Sequence, residues 1–401
     1  MVEMGLHIAM LSAEYPPRWG GMGSTVYHLS AALVGLGHRI TVITRKGGGD
    51  VPKQDGVSVR EVNWLYAPMA FTRSYGKHAL NDLKKLHEND PVDVVHLHCP
   101  MISWNEKQFA DCRSKIAPIV SSLHGSWLGE RDGLRIAASQ KEAAVWLNPN
   151  DLAILLTAGH YANYERAALS GSNLCVANSN ATKEDFIERY DPPDNWNCEV
   201  IHWGVDTDIF YPSKNRGDKS KPTLNLLSVG RLAARKGYGS LLRSFAEINS
   251  RKPETRLLIV GRGNLRKRLE KKAKKLGISE FVTIDSGMSF GKLAEEFRSA
   301  DLVVYPSYYE GQGLIPLEAM ASGTPVATVD HGPLPEMVDE SVGTLFTMGD
   351  IDSMSSSILT LLTDQDELKS RGLKGRERVL SRFTFKINAE RFSELYYSLL
   401  D

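Results

Sequence analysis

The sequence contains few cysteines, and their spacing fits none of the usual metal or disulfide patterns. The four cysteines among 401 residues are Cys99, Cys112, Cys175 and Cys198, and no two of them form a C-x-x-C pair. This spacing argues against a zinc ribbon or a disulfide-stapled scaffold and predicts reduced thiols in a cytoplasmic protein. The chain also lacks a run of about 18 apolar residues and a signal-peptide pattern, so we expect no membrane span and no secretion signal.

The sequence has no excess of charge of either sign. It contains 48 Lys and Arg against 48 Asp and Glu, which gives a formal net charge of zero. Nucleic-acid-binding proteins usually carry a basic excess, so we expect no nucleic-acid partner and a strictly local site for any anion. Residues 265–276 are an exception, with seven Lys and Arg. We expect a solvated helix face there, while peripheral association with the inner face of a membrane stays open.

Short apolar runs alternate with helical patterns along the whole chain. The runs that predict strands are 7–11, 40–44, 57–62, 94–98, 119–123, 174–178, 224–229, 256–260, 281–284, 302–305, 325–328 and 344–346. Buried parallel strands with helices on both faces produce this alternation. The Lys-, Ser- and Asp-rich stretch 212–222 predicts a loop between two such series. We therefore predict an α/β protein with two doubly wound, Rossmann-like domains that face an interdomain cleft.

Two glycine clusters follow predicted strands. Gly20-Gly21-Met22-Gly23 opens a helix, where glycines let backbone amides approach a phosphate and the helix dipole favours an anion; a tight turn without a ligand is the alternative. Gly261-Arg262-Gly263 is a weaker signal. Neither cluster completes G-x-G-x-x-G, so a nicotinamide-dependent dehydrogenase is poorly supported.

Charged residues follow other strands at their carboxyl ends, where ligands bind in such folds. Arg231 and Lys236 follow strand 224–229 and suit a diphosphate, although exposed surface charge is the alternative. His124 ends strand 119–123, and both a functional and a structural role are open for it. His96 and His98 lie in a buried strand and are not expected to function.

The strongest pattern begins at Ser307 and runs to Val326. Its glycines form a loop whose amides can face an anion, and Pro316 suits the first turn of the helix that follows. Glu310 lies in the loop and Glu318 about one turn into the helix, so both carboxylates can face one pocket. A carboxylate can bind a sugar diol and can stabilise positive charge at an anomeric carbon.

Taken together, the chain resembles the family 4 retaining glycosyltransferases of the GT-B fold. The residues that carry the resemblance are Gly20-Gly21, His124-Gly125, Val176-Ala177-Asn178-Ser179, Gly204-Val205-Asp206, Phe210-Tyr211-Pro212, Val229-Gly230-Arg231, Lys236-Gly237, Gly261-Arg262-Gly263, the Glu310-x7-Glu318 spacing and the Glu-Ala-Met-Ala-x-Gly-x-Pro-Val run from Glu318. They span nearly the whole chain in the family's order. Trp203 departs from the pattern, because the family commonly has Asn before Gly-Val-Asp.

The resemblance implies a role for each domain and for the reacting groups. Residues 1–205 would form an N-terminal domain on the acceptor side, residues 206–383 a domain on the donor side, and residues 384–401 a helix that packs back on the first domain. Arg231, Lys236, Glu310 and His124 would be catalytic: the two cations stabilise the leaving diphosphate, and Glu310 and His124 lie beside the donor sugar. The residues that would bind the rest of the donor are Gly21, Gly287, Met288, Gly311, Gly313, Leu314 and Glu318.

The implied activity is that of a hexosyltransferase of class EC 2.4. It would move a sugar, with retention, from a UDP-, GDP- or ADP-sugar to a hydroxyl of a glycan, glycolipid or small molecule. No cofactor or metal is expected, since none of the three Asp-x-Asp pairs ends an apolar strand. A nucleotide-sugar epimerase and a non-catalytic sugar-nucleotide-binding subunit are the alternatives. The acceptor side is least defined, because residues 126–158 with Trp127, Arg131, Arg135 and Trp146 offer no analogy.

Overall fold

A computed structural model describes residues 5–17, 20–142, 145, 148–213 and 223–401. Trp146 and most of the predicted loop 212–222 lie outside these residues. Every strand pairing is parallel, in two separate sheets. The prediction of two doubly wound α/β folds is therefore confirmed.

The chain forms two compact units. The first contains Met1–Glu130, Ala153–Gly204 and Phe385–Asp401, and the second contains Arg131–Leu152 and Val205–Thr384. The units divide after Gly204 and after Thr384, each one residue from the expected boundaries after residues 205 and 383. The segment Arg131–Leu152 differs from expectation, because it belongs to the second unit although it precedes that unit's sheet by many residues. The reason is that the Glu142 carboxylate accepts hydrogen bonds from the amides of Gly239 and Ser240.

The first unit is built on a seven-stranded sheet in the order β3-β2-β1-β4-β5-β6-β7. Its strands are β1 (His7–Leu11), β2 (Arg39–Arg45), β3 (Val57–Val62), β4 (Val94–Cys99), β5 (Ile119–Leu123), β6 (Leu174–Ala177) and β7 (Cys198–Val200). The central strands β1, β4 and β5 are buried along their whole length. Helices on both faces of the sheet cover such strands, which explains their largely apolar sequences.

The helices of the first unit include one that begins at a clear local signal in the sequence. They are α1 (Gly21–Gly35), α2 (Ala70–Asn89), α3 (Glu106–Lys115), most of α5 (Pro149–Gly171), α6 (Asn180–Tyr190) and α14 (Phe385–Ser398), while α4 (Trp127–Ser139) and α5 contain the unit boundaries. Asn105 and Gln108 form a capping box that starts α3. The last helix, α14, packs on α1, where Phe385 stacks on His28 with ring centroids 5.1 Å apart.

The second unit is built on a six-stranded sheet in the order β10-β9-β8-β11-β12-β13. Its strands are β8 (Leu224–Val229), β9 (Thr255–Val260), β10 (Val282–Asp285), β11 (Leu302–Tyr305), β12 (Val326–Val329) and β13 (Gly343–Phe346). Its helices are α7 (Tyr238–Arg251), α8 (Arg266–Lys275), α9 (Phe290–Ser299), α10 (Leu314–Ala321), α11 (Leu334–Met337), α12 (Ile351–Leu361) and α13 (Gln365–Arg382).

The first aspartate of each Asp-x-Asp pair serves the local backbone. Asp206 accepts the amides of Asp208 and Ile209, Asp350 caps α12 and Asp364 caps α13. These contacts are ordinary turn and cap interactions. Among the described residues, no helix is both long and apolar enough to cross a membrane.

Candidate functional site

The candidate site in the second unit lies where the direction of strand order reverses. Strand β8 pairs with β9 on one side and with β11 on the other, so the segments that follow β8 and β11 leave the sheet in opposite directions. Doubly wound sheets bind their ligands at the carboxyl ends of strands at such a switch point. Arg231 and Lys236 follow β8, and Glu310 follows β11.

The structure brings Lys236 and Glu310 together in a buried ion pair. The ammonium of Lys236 contacts Oε1 of Glu310, and the two side chains are only 10% and 12% exposed. The Tyr305 hydroxyl, at the end of β11, completes the group: it accepts a hydrogen bond from Lys236 Nζ (2.9 Å) and donates one to Glu310 Oε1 (2.6 Å). Two segments that are far apart in the sequence thus meet at one buried, polar point.

The surroundings of this pair shift both pKa values downward. Burial lowers the pKa of Lys236 to about 8, with Arg235 and Arg231 adding to the effect and Glu310 opposing it. Burial alone would raise the pKa of Glu310, but the positive charges of Lys236 and Arg235 outweigh it and hold the pKa at about 2. Glu310 is therefore a firmly ionised carboxylate at neutral pH, whereas Lys236 can lose its proton at mildly basic pH.

Backbone contacts fix the two loops against each other. The amide of Tyr308 donates to the carbonyl of Arg235 (2.8 Å), and the Arg235 guanidinium donates to the carbonyl of Tyr309 (3.3 Å). Gly237 follows Lys236 with a φ of +71°, and a Cβ at this position would lie 2.1 Å from the carbonyl oxygen of Pro306. Only glycine permits both this conformation and this close approach.

Helix α10 presents its N-terminus next to the Glu310 loop. Gly313 has a φ of +97°, α10 begins at Leu314, and Pro316 lies in its first turn. The first amides of a helix have no partner within the helix, and its dipole attracts anions. Glu318 lies in the next turn; its Oε2 atom is buried without a hydrogen-bond partner among the described residues, and burial raises its pKa to about 8. An unpartnered buried carboxylate oxygen is suited to a ligand hydroxyl.

Three other predicted residues of the second unit also follow strands of its sheet: Arg231, Gly287 and Met288. The Arg231 side chain is exposed after Gly230, at the end of β8. Gly287 and Met288 follow β10 and line a cavity of about 470 Å³. Gly287 has a φ of +154°, and a Cβ there would lie 2.7 Å from Nε of Arg262.

The first unit carries the remaining predicted residues, Gly21 and His124. Gly21 begins α1 after the N-cap Gly20, which supplies no side-chain cap to the helix. His124 follows β5, and its Nε2 lies 2.9 Å from Nδ1 of His98 in the neighbouring strand β4. Burial lowers the pKa of His124 to about 3 and that of His98 well below its ordinary value. Both rings are therefore neutral at physiological pH.

Aromatic rings hold His124 in place. Trp203 stacks on His124 with ring centroids 4.8 Å apart and planes 13° apart, and Phe392 of α14 stacks on Trp203 at 5.6 Å. The residue that departs from the family pattern thus has a definite structural role, because a flat indole supports the imidazole ring. Asn at position 203 would not provide such a stacking surface.

Comparison with known proteins places the chain in a family. The sequence profile described as "Glycosyltransferase Family 4" matches residues 19–209, and the profile "Glycosyl transferases group 1" matches residues 212–378. The chain belongs to the family 4 glycosyltransferases. The resemblance inferred from the motifs is confirmed, and so is the assignment of the chain as a glycosyltransferase of class EC 2.4.

Relatives and solved structures match nearly the whole chain. The "Glycogen synthase" of Mycobacterium tuberculosis is 28% identical over 98% of this chain and 94% of the relative. The sucrose-phosphate synthase from Thermosynechococcus elongatus superposes with a TM-score of 0.81 at 23% identity, covering 98% of this chain and 99% of the other. Anabaena Alr3699/HepE, solved in complex with UDP-glucose, superposes with a TM-score of 0.72 at 19% identity, covering 98% and 100%. The predicted GT-B fold is thereby confirmed.

Three residues of this glycosyltransferase escaped prediction from the sequence. Tyr305 looked like the last residue of an apolar strand, and His98 like a core histidine; only the pairing of β11 with β8 and of β4 with β5 reveals their partners. Glu142 lies far from its partners in the sequence. An ionisable or hydroxyl residue at the carboxyl end of a buried strand was the available signal for the first two.

Proposed function

We propose that this protein is a retaining, metal-independent glycosyltransferase that moves a sugar from a nucleotide-diphosphate sugar to a hydroxyl acceptor. The observation that carries the proposal is the buried Lys236–Glu310 pair beside the N-terminus of α10. The exposed Arg231 and the unpartnered Oε2 of Glu318 support it, because they offer a second cation and a site for a ribose hydroxyl. The UDP-glucose in the complex of Anabaena Alr3699/HepE is a donor of the proposed kind.

The charges of the site suit the departure of a diphosphate. Negative charge develops on the leaving group, and preorganised cations and amides stabilise that charge better than reorganising water does. Arg231, Lys236 and the amides at the start of α10 are such groups. Lys236 would turn from Glu310 towards the diphosphate as the negative charge grows.

The state of Glu310 favours transfer on one face of the sugar over a double displacement. Its Oε1 atom is engaged by both Lys236 and Tyr305, and its pKa is held at about 2. Such a carboxylate is a weak nucleophile but a good electrostatic partner for an oxocarbenium-like centre. We therefore infer that the acceptor hydroxyl attacks from the side that the diphosphate leaves, which retains the anomeric configuration.

The location of the protein, the place of the donor's base and the acceptor complete the proposal. All four cysteines are free and buried, which suits the reducing cytoplasm. The base of the donor would occupy the cavity lined by Gly287 and Met288. A hydroxyl of a glycan, glycolipid or small molecule would be the acceptor.

A donor panel tests the proposal. The protein is incubated with UDP-, GDP- and ADP-sugars, with and without acceptors, and nucleotide diphosphate release is measured. The product's anomeric proton is then examined by NMR. We expect acceptor-dependent release from one donor class and a retained configuration. Interconversion of sugars without acceptor would instead indicate an epimerase, and tight binding without release would indicate a non-catalytic subunit.

A further inference from the structure

Glu142 contacts two other segments of the second unit, the start of α7 and the loop after β11. Its Oε2 accepts the amide of Gly239 (2.7 Å), and its Oε1 accepts the amide of Ser240 (2.7 Å) and the Ser240 hydroxyl (2.5 Å). The Tyr308 hydroxyl lies 3.1 Å from the same Oε1 and 2.8 Å from Oγ of Ser240. Both carboxylate oxygens are therefore bonded, to groups about 100 or more residues away in the sequence.

The first of these segments is the start of α7, which the local sequence leaves uncapped. Gly237 precedes the helix and offers no side-chain cap. Glu142 supplies the missing acceptor from a distant segment, and its negative charge also suits the positive end of the helix dipole. The place of Gly239 reflects this contact, because a Cβ there would lie 2.4 Å from Oε2 of Glu142.

The segment that carries Glu142 is itself held on the second unit. A Cβ on Gly133 would lie 2.5 Å from the Cβ of Tyr309, so the backbone of α4 passes directly over the loop that carries Glu310. The Arg243 guanidinium donates to the carbonyl of Gln140 (3.3 Å), and the side chain of Gln140 covers Gly349. These contacts hold the segment of Glu142 in place independently of its hydrogen bonds to Gly239 and Ser240.

Glu142 acts next to both members of the buried ion pair. Gly239 and Ser240 follow Lys236 within one helical turn, and Tyr308 precedes Glu310 by two residues. One carboxylate therefore sets the distance between the start of α7 and the loop after β11. Glu142 also occupies the amides at the N-terminus of α7, the helix that follows Lys236. Of α7 and α10, the N-terminus of α10 is then the one that can bind an anion.

We propose that Glu142 is a positioning residue that holds Lys236 and Glu310 in register for sugar transfer. The expected effect on kcat rests on the proposed function, whereas the expected effect on the position of Lys236 and Glu310 does not. A displacement of about 1 Å at a reacting group can reduce the rate by up to about a hundredfold. Loss of Glu142 should therefore lower kcat while nucleotide diphosphate still binds through Arg231 and α10.

The test compares Glu142→Gln with Glu247→Gln. Glu247 is the control: it lies on α7, the helix whose start Glu142 contacts, and its carboxylate accepts a hydrogen bond from Ser355 (2.6 Å). We expect Glu142→Gln to lower kcat at least about tenfold, with the affinity for free nucleotide diphosphate within about threefold of wild type. Glu247→Gln should lose comparable thermal stability and keep its kcat. Equal kcat values for Glu142→Gln and wild type would overturn the proposal.

A second measurement needs no turnover. The titration of Lys236 is followed by NMR of the lysine side chains in the ligand-free protein, with Lys236→Arg to assign its signal. Glu142→Gln should move this titration, and Glu247→Gln should not. A Lys236 titration that both variants leave unchanged would sink the positioning role even if wild type transferred sugar. A wild type that transfers no sugar while the titration moves would refute the proposed function alone.

Discussion

Arg231 and Lys236 carry the same charge in different surroundings, so their removal should have different costs. In the proposed mechanism both meet charge that grows as the diphosphate leaves, so replacement of either by Ala should lower kcat by about a hundredfold or more. Arg231 is exposed, so Arg231→Ala should fold like wild type. Lys236→Ala leaves Glu310 buried without its cation, which should cost about 3–5 kcal/mol of stability. Steady-state kinetics and thermal melts measure both effects.

Glu310 and Glu318 serve as the contrast in these experiments. Glu310→Gln should lower kcat and largely spare the binding of free nucleotide diphosphate, since Glu310 is expected beside the reacting sugar. Glu318→Ala should mainly raise the donor KM, because the proposed contact of Glu318 with the ribose would be equally strong in the ground and transition states. The assignment fails if Glu318→Ala loses only kcat, or if Arg231→Ala turns over at a nearly normal rate.

The lowered pKa of Lys236 predicts the basic limb of the pH–rate profile. Its ammonium form is present below pH 8 and is lost as the pH rises through about 8. We expect kcat/KM to fall about tenfold per pH unit above that point. Lys236→Arg should move the limb upward, because an arginine stays protonated. Since Glu318 also titrates near pH 8, a limb that persists in Lys236→Arg would assign it to Glu318 or another group.

The raised pKa of Glu318 predicts a penalty in stability that depends on pH. Its folded pKa of about 8 lies above the ordinary value of 4.5, so the folded state binds the proton more tightly than the unfolded state. The protonated Glu318 therefore contributes fully to the free energy of unfolding below about pH 4.5, and this contribution is lost as the pH rises towards 8. Glu318→Gln removes this loss. The variant should therefore melt at a higher temperature than wild type at pH 8 and nearly equally at pH 4.5, and a constant difference across this range would contradict the assignment.

At the scale of the elements, local sequence patterns were enough to predict most of the buried strands. The predicted runs 7–11, 119–123, 224–229 and 302–305 coincide with strands of the structure, because strands buried on both faces need largely apolar residues. The run 57–62 also coincides with a strand, the half-exposed edge strand β3. Strand β7 (Cys198–Val200) was not predicted. It is a three-residue edge strand with an exposed central residue, so it lacks a continuous apolar run.

The elements that escaped prediction depend on distant contacts. Helix α13 contains Gly372 and Gly375, which weaken a helical pattern. A Cβ on Gly372 would lie 2.1 Å from the carbonyl oxygen of Gly323, so the glycine serves close packing on α10 and its C-terminus. The candidate site likewise combines features that local sequence shows with features that only distant contacts create. The Lys236 and Glu310 motifs were visible locally, whereas the contacts of Glu142 and Tyr305 exist only once the chain has folded.

Helix α8 provides a test of membrane association at this scale. Leu269 and Ala273 are buried, while Lys267, Lys271 and Lys274 are exposed. If this basic face meets anionic lipid, binding to vesicles that contain phosphatidylserine should fall as salt is added. The triple Lys→Gln variant should bind measurably less than wild type. Equal binding by both proteins, or none by wild type, would leave α8 as a solvated face.

At the scale of the whole molecule, a chain with zero net charge must concentrate positive charge locally to bind a diphosphate. The second unit achieves this with Lys236, Arg231 and Arg235 around one switch point and with the N-terminus of α10. Protein cations in this arrangement can do the work that a bridging divalent metal does in other transferases. The proposed independence from metals is therefore a consequence of the charge distribution and can be tested on the intact enzyme.

We expect transfer to continue in a chelator. Wild type is dialysed against EDTA and assayed with its donor, before and after addition of Mg²⁺ or Mn²⁺, and kcat should change less than about twofold. Arg231→Ala is assayed in parallel as the control. If Arg231 stabilises the diphosphate directly, added metal should not restore this variant. Loss of wild-type turnover in EDTA with recovery in Mg²⁺ would refute the metal-free site, because the leaving diphosphate would then depend on a cation that the protein side chains do not supply.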